Sequence, residues 1–221
     1  MNAIKRLAKR IVSKVFVSHK RWVIRTLDIS PRDVLVPLQP SHTEMPNDMA
    51  ENGRLSLLNL VNSSALVGVE LGVAEGYFSD TLLRCSRLKR LYSIDAWSDH
   101  HDSDEYMRAC MRLSVHGTRS NILRSYFDDA VSLFSDNSLD FVYFDAYAHT
   151  GQQDGRLFEQ WYPKIKNGGL CCGHDYDIVH WPQTVNAVDK FAASLGKDIR
   201  VIPGVFSSNP QDLHPSWYFY K

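Results

Sequence analysis

The stretch VGVELGVAEGYFSD, residues 67–80, reads as a buried strand running into a glycine turn and then a helix. The turn is shaped to hold a ligand, and its composition narrows the choice. A P-loop needs G-x-x-x-x-G-K-[ST], but Gly72 and Gly76 are followed by no Lys-Ser/Thr pair. A dinucleotide fingerprint needs G-x-G-x-x-G, and position 74 is alanine. Glu70 and Glu75 add two negative charges that would repel a pyrophosphate. Such acids suit a ligand that is cationic and carries a ribose. Gly72 lets backbone approach the ligand closely, and Asp95 stands where an acceptor for ribose hydroxyls belongs.

Strand and helix patterns alternate along the rest of the chain. Helices are expected over 55–62, 77–86, 103–114, 128–134, 152–164 and 183–195. Strands are expected at LVGVEL (66–71), RLYSID (90–95), NILRS (121–125), LDFVYFDA (139–146) and GGLCCGHD (168–175). IRVIP (199–203) and SWYFYK (216–221) follow with no helix between them, the pattern of a closing antiparallel hairpin. Alternation of this kind builds a parallel sheet with helices on both faces. In such sheets ligands bind at the carboxyl ends of the strands, near a topological switch point. Glu70, Asp95, Asp145 and the pair His174-Asp175 all stand at expected strand ends. One acid after a strand is an ordinary helix cap; four strand ends so marked form a pattern.

Lys+Arg and Asp+Glu both total 25 in 221 residues. The first 27 residues hold eight of the basic residues and no acid, so the body is mildly acidic. Residues 1–54 are expected to form a basic amphipathic helix and a proline-marked linker, and 55–221 the main domain. The helix would pack on the body or on a partner subunit of a homo-oligomer, or would touch an anionic membrane surface through residues 1–25. A targeting peptide is a further reading. Nucleic-acid binding is not expected, because the rest of the chain offers no basic stripe. Four cysteines without a C-x-x-C pair indicate no disulfide framework or cysteine zinc site. With no apolar run near the roughly 20 residues of a membrane span, a cytoplasmic, at most membrane-peripheral, location is expected.

S-adenosylmethionine is cationic, carries a ribose and has no phosphate. ELGVAEG resembles the E-x-G-x-x-x-G motif of the class I S-adenosylmethionine-dependent methyltransferases, and SIDAW resembles the acidic end of that family's second strand. SLDFVYFDAYAH and WYPKIKNGGLCCGHDY are similar to a branch containing sugar and macrolide O-methyltransferases, with D-x-x-H after strand 4 and G-H-D-Y after strand 5. The resemblance covers roughly residues 55–221. It implies a Rossmann-like, doubly wound α/β fold whose seven-stranded, mostly parallel sheet ends in an antiparallel strand. It also implies cofactor contacts from Glu70, Gly72, Gly76, Asp95, Ser125 and Tyr126. In that branch the ends of strands 4 and 5 hold a divalent metal, which here points to Asp145, His174 and Asp175 with Mg²⁺ or Mn²⁺.

Methyl transfer to a hydroxyl needs an aligned acceptor and a place for its proton. Asp145 and His149 are the candidates, an imidazole being suited to that task near neutral pH. Read from the residues alone, Asp145 is equally a helix cap and His149 equally a loop histidine. The branch has D-G-D-H where this chain has Asp145-Ala146-Tyr147-Ala148-His149. The expected reaction is O-methylation of a small molecule, such as a sugar or glycosylated metabolite. Trp97, Tyr147, Tyr176 and Trp181 are candidates to stack on the acceptor or simply to pack. A cofactor-binding module without catalysis, and a hydroxylase-like activity, are the alternatives. Cys171-Cys172 reads as buried packing, and HHDSDE (100–105) as a solvated loop and helix start.

Overall fold

Val69 and Leu71 of β1 (Leu66–Leu71) point to one side of the sheet, Gly68 and Glu70 to the other. The same alternation runs through β4 (Leu139–Phe144), where Val142 and Phe144 oppose Phe141 and Tyr143. In β5 (Ile165–Gly173) it divides Cys171 from Leu170 and Cys172. β1, β4 and the second half of β5, 169–173, are almost wholly buried, so both faces of the sheet need cover. Helices α1 (Tyr77–Arg84) and α2 (Ser103–Leu113) cover one face through Phe78, Leu82, Leu83 and Leu113. On the other lie α3 (Phe127–Ala130), α5 (Arg156–Trp161) and α6 (Pro182–Ser194), with Phe158, Trp161 and Val188 at the centre.

The computed structural model describes residues 53–85, 87–98, 100–205 and 210–221. The basic helix expected near the N-terminus and the linker up to residue 52 lie outside the described residues. No helix among the described residues is long and apolar enough to cross a membrane.

With β2 (Leu88–Asp95), β3 (Ser120–Arg124), β6 (Arg200–Ile202) and β7 (Ser216–Tyr220), the sheet has seven strands in the order β3-β2-β1-β4-β5-β7-β6. The pairs among β1 to β5 are parallel, and β7 runs antiparallel to both of its neighbours. The expected Rossmann-like α/β fold is therefore present, including the antiparallel closing pair. Leu71 pairs with Ile94 and Phe144, and Phe144 pairs with Gly173. That register brings the ends of β1, β2, β4 and β5 level, at the switch between β1 and β4.

Two elements differ from expectation. The helix at 55–62 is a 3₁₀ segment, Arg54–Leu60, without a side-chain cap. The helix expected over 152–164 is broken into three pieces. The first is α4 (Gly151–Asp154), whose residues have φ of 59°, 52°, 57° and 56°, a left-handed turn. Gly155, at φ 84°, then resets the chain into α5, and Pro163 lies in a closing 3₁₀ turn, Tyr162–Lys164. HHDSDE behaves as expected: Asp102 and Glu105 form a capping box at the start of α2.

Candidate active site

The glycine turn leaves β1 at Gly72, whose φ is 92°. A Cβ there would lie 2.2 Å from the Asp145 carbonyl oxygen, so only glycine lets the ends of β1 and β4 meet this closely. The turn is fastened by Asp95. Its Oδ2 accepts the N–H groups of Val73 at 2.8 Å and Ala74 at 3.1 Å, and its Oδ1 accepts that of Trp97 at 3.0 Å. Trp97 donates its ring N–H to the Ala74 carbonyl at 2.8 Å. Ala74 and Trp97 have φ of 47° and 45°, a strain these four hydrogen bonds hold in place. Gly76 caps α1 at φ 78° and packs against α2. Glu75 turns to Arg108 at 3.0 Å.

Glu70 is buried one position before the end of β1. Its carboxyl accepts from the Ser79 hydroxyl, which lies 2.7 Å from that of Ser93. Burial pushes it up to about 8, the hydroxyl only partly opposing this. It lines a cavity of about 410 Å³ with Gly72, Phe78, His101 and Asp145. A second cavity of about 410 Å³ shares Gly72, His101 and Asp145, and adds Asp95, Phe127 and His149. Its far wall is Tyr147, Asp175 and Trp181. The two form one cleft along the carboxyl edge of the sheet, in the size range of small-molecule sites. Ser125 and Tyr126 line a neighbouring, more open recess with Ala96 and Arg124. Ser125 N–H is tied to the Asp95 carbonyl at 3.0 Å.

Asp145 follows β4, and His174 and Asp175 follow β5. Their ligand-capable atoms lie within 4.8 Å of one another. His174 Nδ1 is 3.3 Å from Asp145 and 3.2 Å from Asp175. Burial alone would lower this imidazole, but the two carboxylates outweigh it and push it up to about 9. Burial alone would raise Asp145, and His174 and Arg54 together hold it below the usual carboxylate range. Arg54 gave no signal in the sequence beyond being the basic residue that ends the expected linker. It is buried, 3.2 Å from Asp145 and 2.9 Å from Asp212, with its guanidinium 4.0 Å from the Phe78 ring centre.

His149 is exposed at the rim of the cleft, its ring 4.6 Å from that of Trp181 in an edge-on contact. Of the four aromatics singled out, Tyr147 and Trp181 line the cleft. Trp97 is buried beneath the glycine turn, and Tyr176 donates its hydroxyl to Asp189 at 2.5 Å. Cys171 and Cys172 are free, buried thiols pushed up by burial, as packing groups should be. The structure thus brings Glu70, Gly72, Asp95, Asp145, His149 and Asp175 to one cleft. Ser79, Phe127 and Arg54 also shape it, and sequence reading missed them because contacts across the fold place them there; His101, in the loop before α2, reaches it as well and was read only as part of a solvated loop.

A methyltransferase domain family model matches residues 69–176, from within β1 to just past the Asp145–His174–Asp175 cluster. A search of curated proteins returns no match. Solved structures share the fold. An O-methyltransferase from Bacillus cereus, determined with SAH, is 15% identical, with 97% of each chain covered and a TM-score of 0.56. A SAM-dependent O-methyltransferase from Thermotoga maritima is 14% identical over 80% of this chain and 65% of its own, with a TM-score of 0.54. A spermidine synthase from the same organism is 13% identical over 78% of this chain and 58% of its own, at 0.58. At these identities the likeness is one of fold, which does not by itself name a reaction. The domain match over residues 69–176, the strand order and the acid-lined glycine turn together support a class I S-adenosylmethionine-dependent methyltransferase.

Proposed function

We propose that the protein methylates an oxygen of a small hydroxylated molecule, a sugar or glycosylated metabolite. One observation carries this: the cavity beside Gly72 is walled by Asp145, Asp175 and His149 on its polar side and by Tyr147 and Trp181 on its apolar side. A volume near 410 Å³ suits a small acceptor. Aromatic walls stack on the apolar face of a sugar ring, and carboxylates accept its hydroxyls.

The cleft fits the cofactor by the chemistry of its donors. Glu70 is a buried carboxyl lining a cavity, with one hydroxyl on its carboxyl oxygen, and an ammonium group would draw it into its charged form. Asp95 spends three acceptor positions on the turn and still borders the cavity, where it would take a ribose hydroxyl. When bound, S-adenosylmethionine supplies an electrophilic methyl carbon and takes the electrons of the broken C–S bond.

The residues of this chain orient the acceptor and take its proton. Tyr147 and Trp181 hold the ring, Asp145 and Asp175 accept its hydroxyls, and His149 takes the proton of the reacting hydroxyl as the new O–C bond forms. Asp145, His174 and Asp175 would also hold Mg²⁺ or Mn²⁺, which would lower the pKa of that hydroxyl. Such an ion would replace the proton that His174 shares with the two carboxylates, so its binding would release a proton.

The test is transfer of labelled methyl from S-adenosylmethionine to a panel of sugars, glycosides and phenols, with the product mapped to O or N. His149→Ala should lower kcat by about 10²–10⁴-fold and leave cofactor affinity within about twofold. An undiminished kcat would remove His149 from the reaction, and N-methylated product would sink the oxygen assignment.

A further inference from the structure

Asp177, His180 and His214 form a second convergence of ligand-capable side chains, apart from the Asp145 cluster. Asp177 and His180 stand three residues apart in the turn after β5, and His214 belongs to the segment entering β7. A backbone hydrogen bond of 3.0 Å, from Tyr176 N–H to the Pro215 carbonyl, ties the two segments together. Oδ1 of Asp177 accepts the N–H groups of Val179 at 2.9 Å and His180 at 3.4 Å. Those bonds fix the carboxylate and leave Oδ2 turned toward both imidazoles. Oδ2 lies 2.6 Å from Nδ1 of His180 and 3.6 Å from Nδ1 of His214. One ligand-capable atom from each of the three residues lies within 4.8 Å of the others.

We propose that Asp177, His180 and His214 bind a divalent transition-metal ion of the Zn²⁺ class. Nitrogen and oxygen ligands at 2.0–2.2 Å in a tetrahedral shell stand about 3.4 Å apart. The observed separations bracket that spacing, so closure on an ion needs small movements of two imidazoles already aimed inward. Two imidazoles and one carboxylate favour Zn²⁺ or a late first-row ion over Mg²⁺. Three protein ligands also leave a coordination position open toward solvent. The ion clips the turn at 177–180 to the segment before β7. Trp181, the next residue, walls the acceptor cavity, its ring 6.1 Å from that of His214. The clip therefore holds one wall of that cavity in place. The ion's binding does not depend on the methyl-transfer assignment.

The experiment is calorimetric titration of the full chain with ZnCl₂, and with CoCl₂ followed by visible absorption. His180→Ala, His214→Gln and Asp145→Asn are titrated in parallel, with circular dichroism confirming that each is folded. One equivalent should bind at micromolar concentration or tighter, in a phase separate from any uptake by the Asp145 cluster, with a cobalt band of tetrahedral intensity, and should raise the thermal midpoint by several degrees. Each histidine variant should weaken this at least tenfold, and Asp145→Asn should leave it unchanged. Binding that survives both histidine variants, follows Asp145 instead, or is absent below millimolar concentration would overturn the proposal. His180, whose side chain is 61% exposed, keeps the test valid if His214→Gln does not fold.

Discussion

Buried beside Ser79, the carboxyl of Glu70 keeps its proton to about pH 8 in the folded chain. An unfolded glutamate gives it up near pH 4.3. Between these values the folded state binds more protons than the unfolded state, so stability falls as pH rises through the window. His174 has the same sign at higher pH. The stability it contributes is complete below about pH 6.5 and is lost as pH rises through about 9. Asp145 acts at the other end: its depressed carboxyl stabilises above the unfolded value and is lost only in acid. Without cofactor, the thermal midpoint should therefore decline from pH 5 to pH 9. Glu70→Gln keeps the shape without the charge, so it should remove the earlier part of that decline. At pH 8 it should add on the order of a few kcal/mol. A wild-type midpoint flat across this range, or a variant with the same slope, would contradict the burial account of Glu70. Sequence placed Glu70 at a strand end correctly, but its protonation state depends on neighbours that no local pattern reveals.

The left-handed turn of α4 is the element that most constrains the loop carrying His149. Each non-glycine residue in that conformation costs roughly 1–2 kcal/mol. Burial of Gln152 and a set of hydrogen bonds hold it: Gln152 N–H to the Tyr147 carbonyl, and Gln152 to Thr184, which donates in turn to the Ala148 carbonyl. These bonds anchor both sides of His149. Gln153, at φ 57°, is the place to test the strain. Gln153→Gly should stabilise the protein by roughly 0.5–1 kcal/mol, the relief of the left-handed penalty less the entropy of a glycine. A destabilised variant in chemical denaturation would show that the turn is not strained as described. Hydrophobic periodicity made the strands legible: β1 begins and ends where LVGVEL does, and the β6–β7 pair followed from two strand patterns without a helix between them. Periodicity repeats every 3.6 residues in either hand and says nothing about chirality, so residues 152–164 read as one helix. The glycines at 151 and 155 were the only local sign of a break.

At the scale of the whole molecule, sheet register does what no single motif can. It brings the ends of β1, β2, β4 and β5 level, so that residues as far apart as Glu70 and Asp175 face one cleft. Strand ends carrying acids were visible in the sequence, and the cleft's composition followed from them. Arg54 was not, because its partners Asp145 and Asp212 lie 91 and 158 residues away. If the acid-lined glycine turn holds S-adenosylmethionine, calorimetric titration of the full chain with that compound reads the binding out. Wild-type protein should bind at micromolar concentration. Asp95→Ala should weaken binding at least tenfold while remaining folded by circular dichroism, and Asp145→Asn should stay within about threefold if, as proposed, Asp145 serves the acceptor rather than the cofactor. No binding by the wild type, or equal binding by folded Asp95→Ala, would contradict the account.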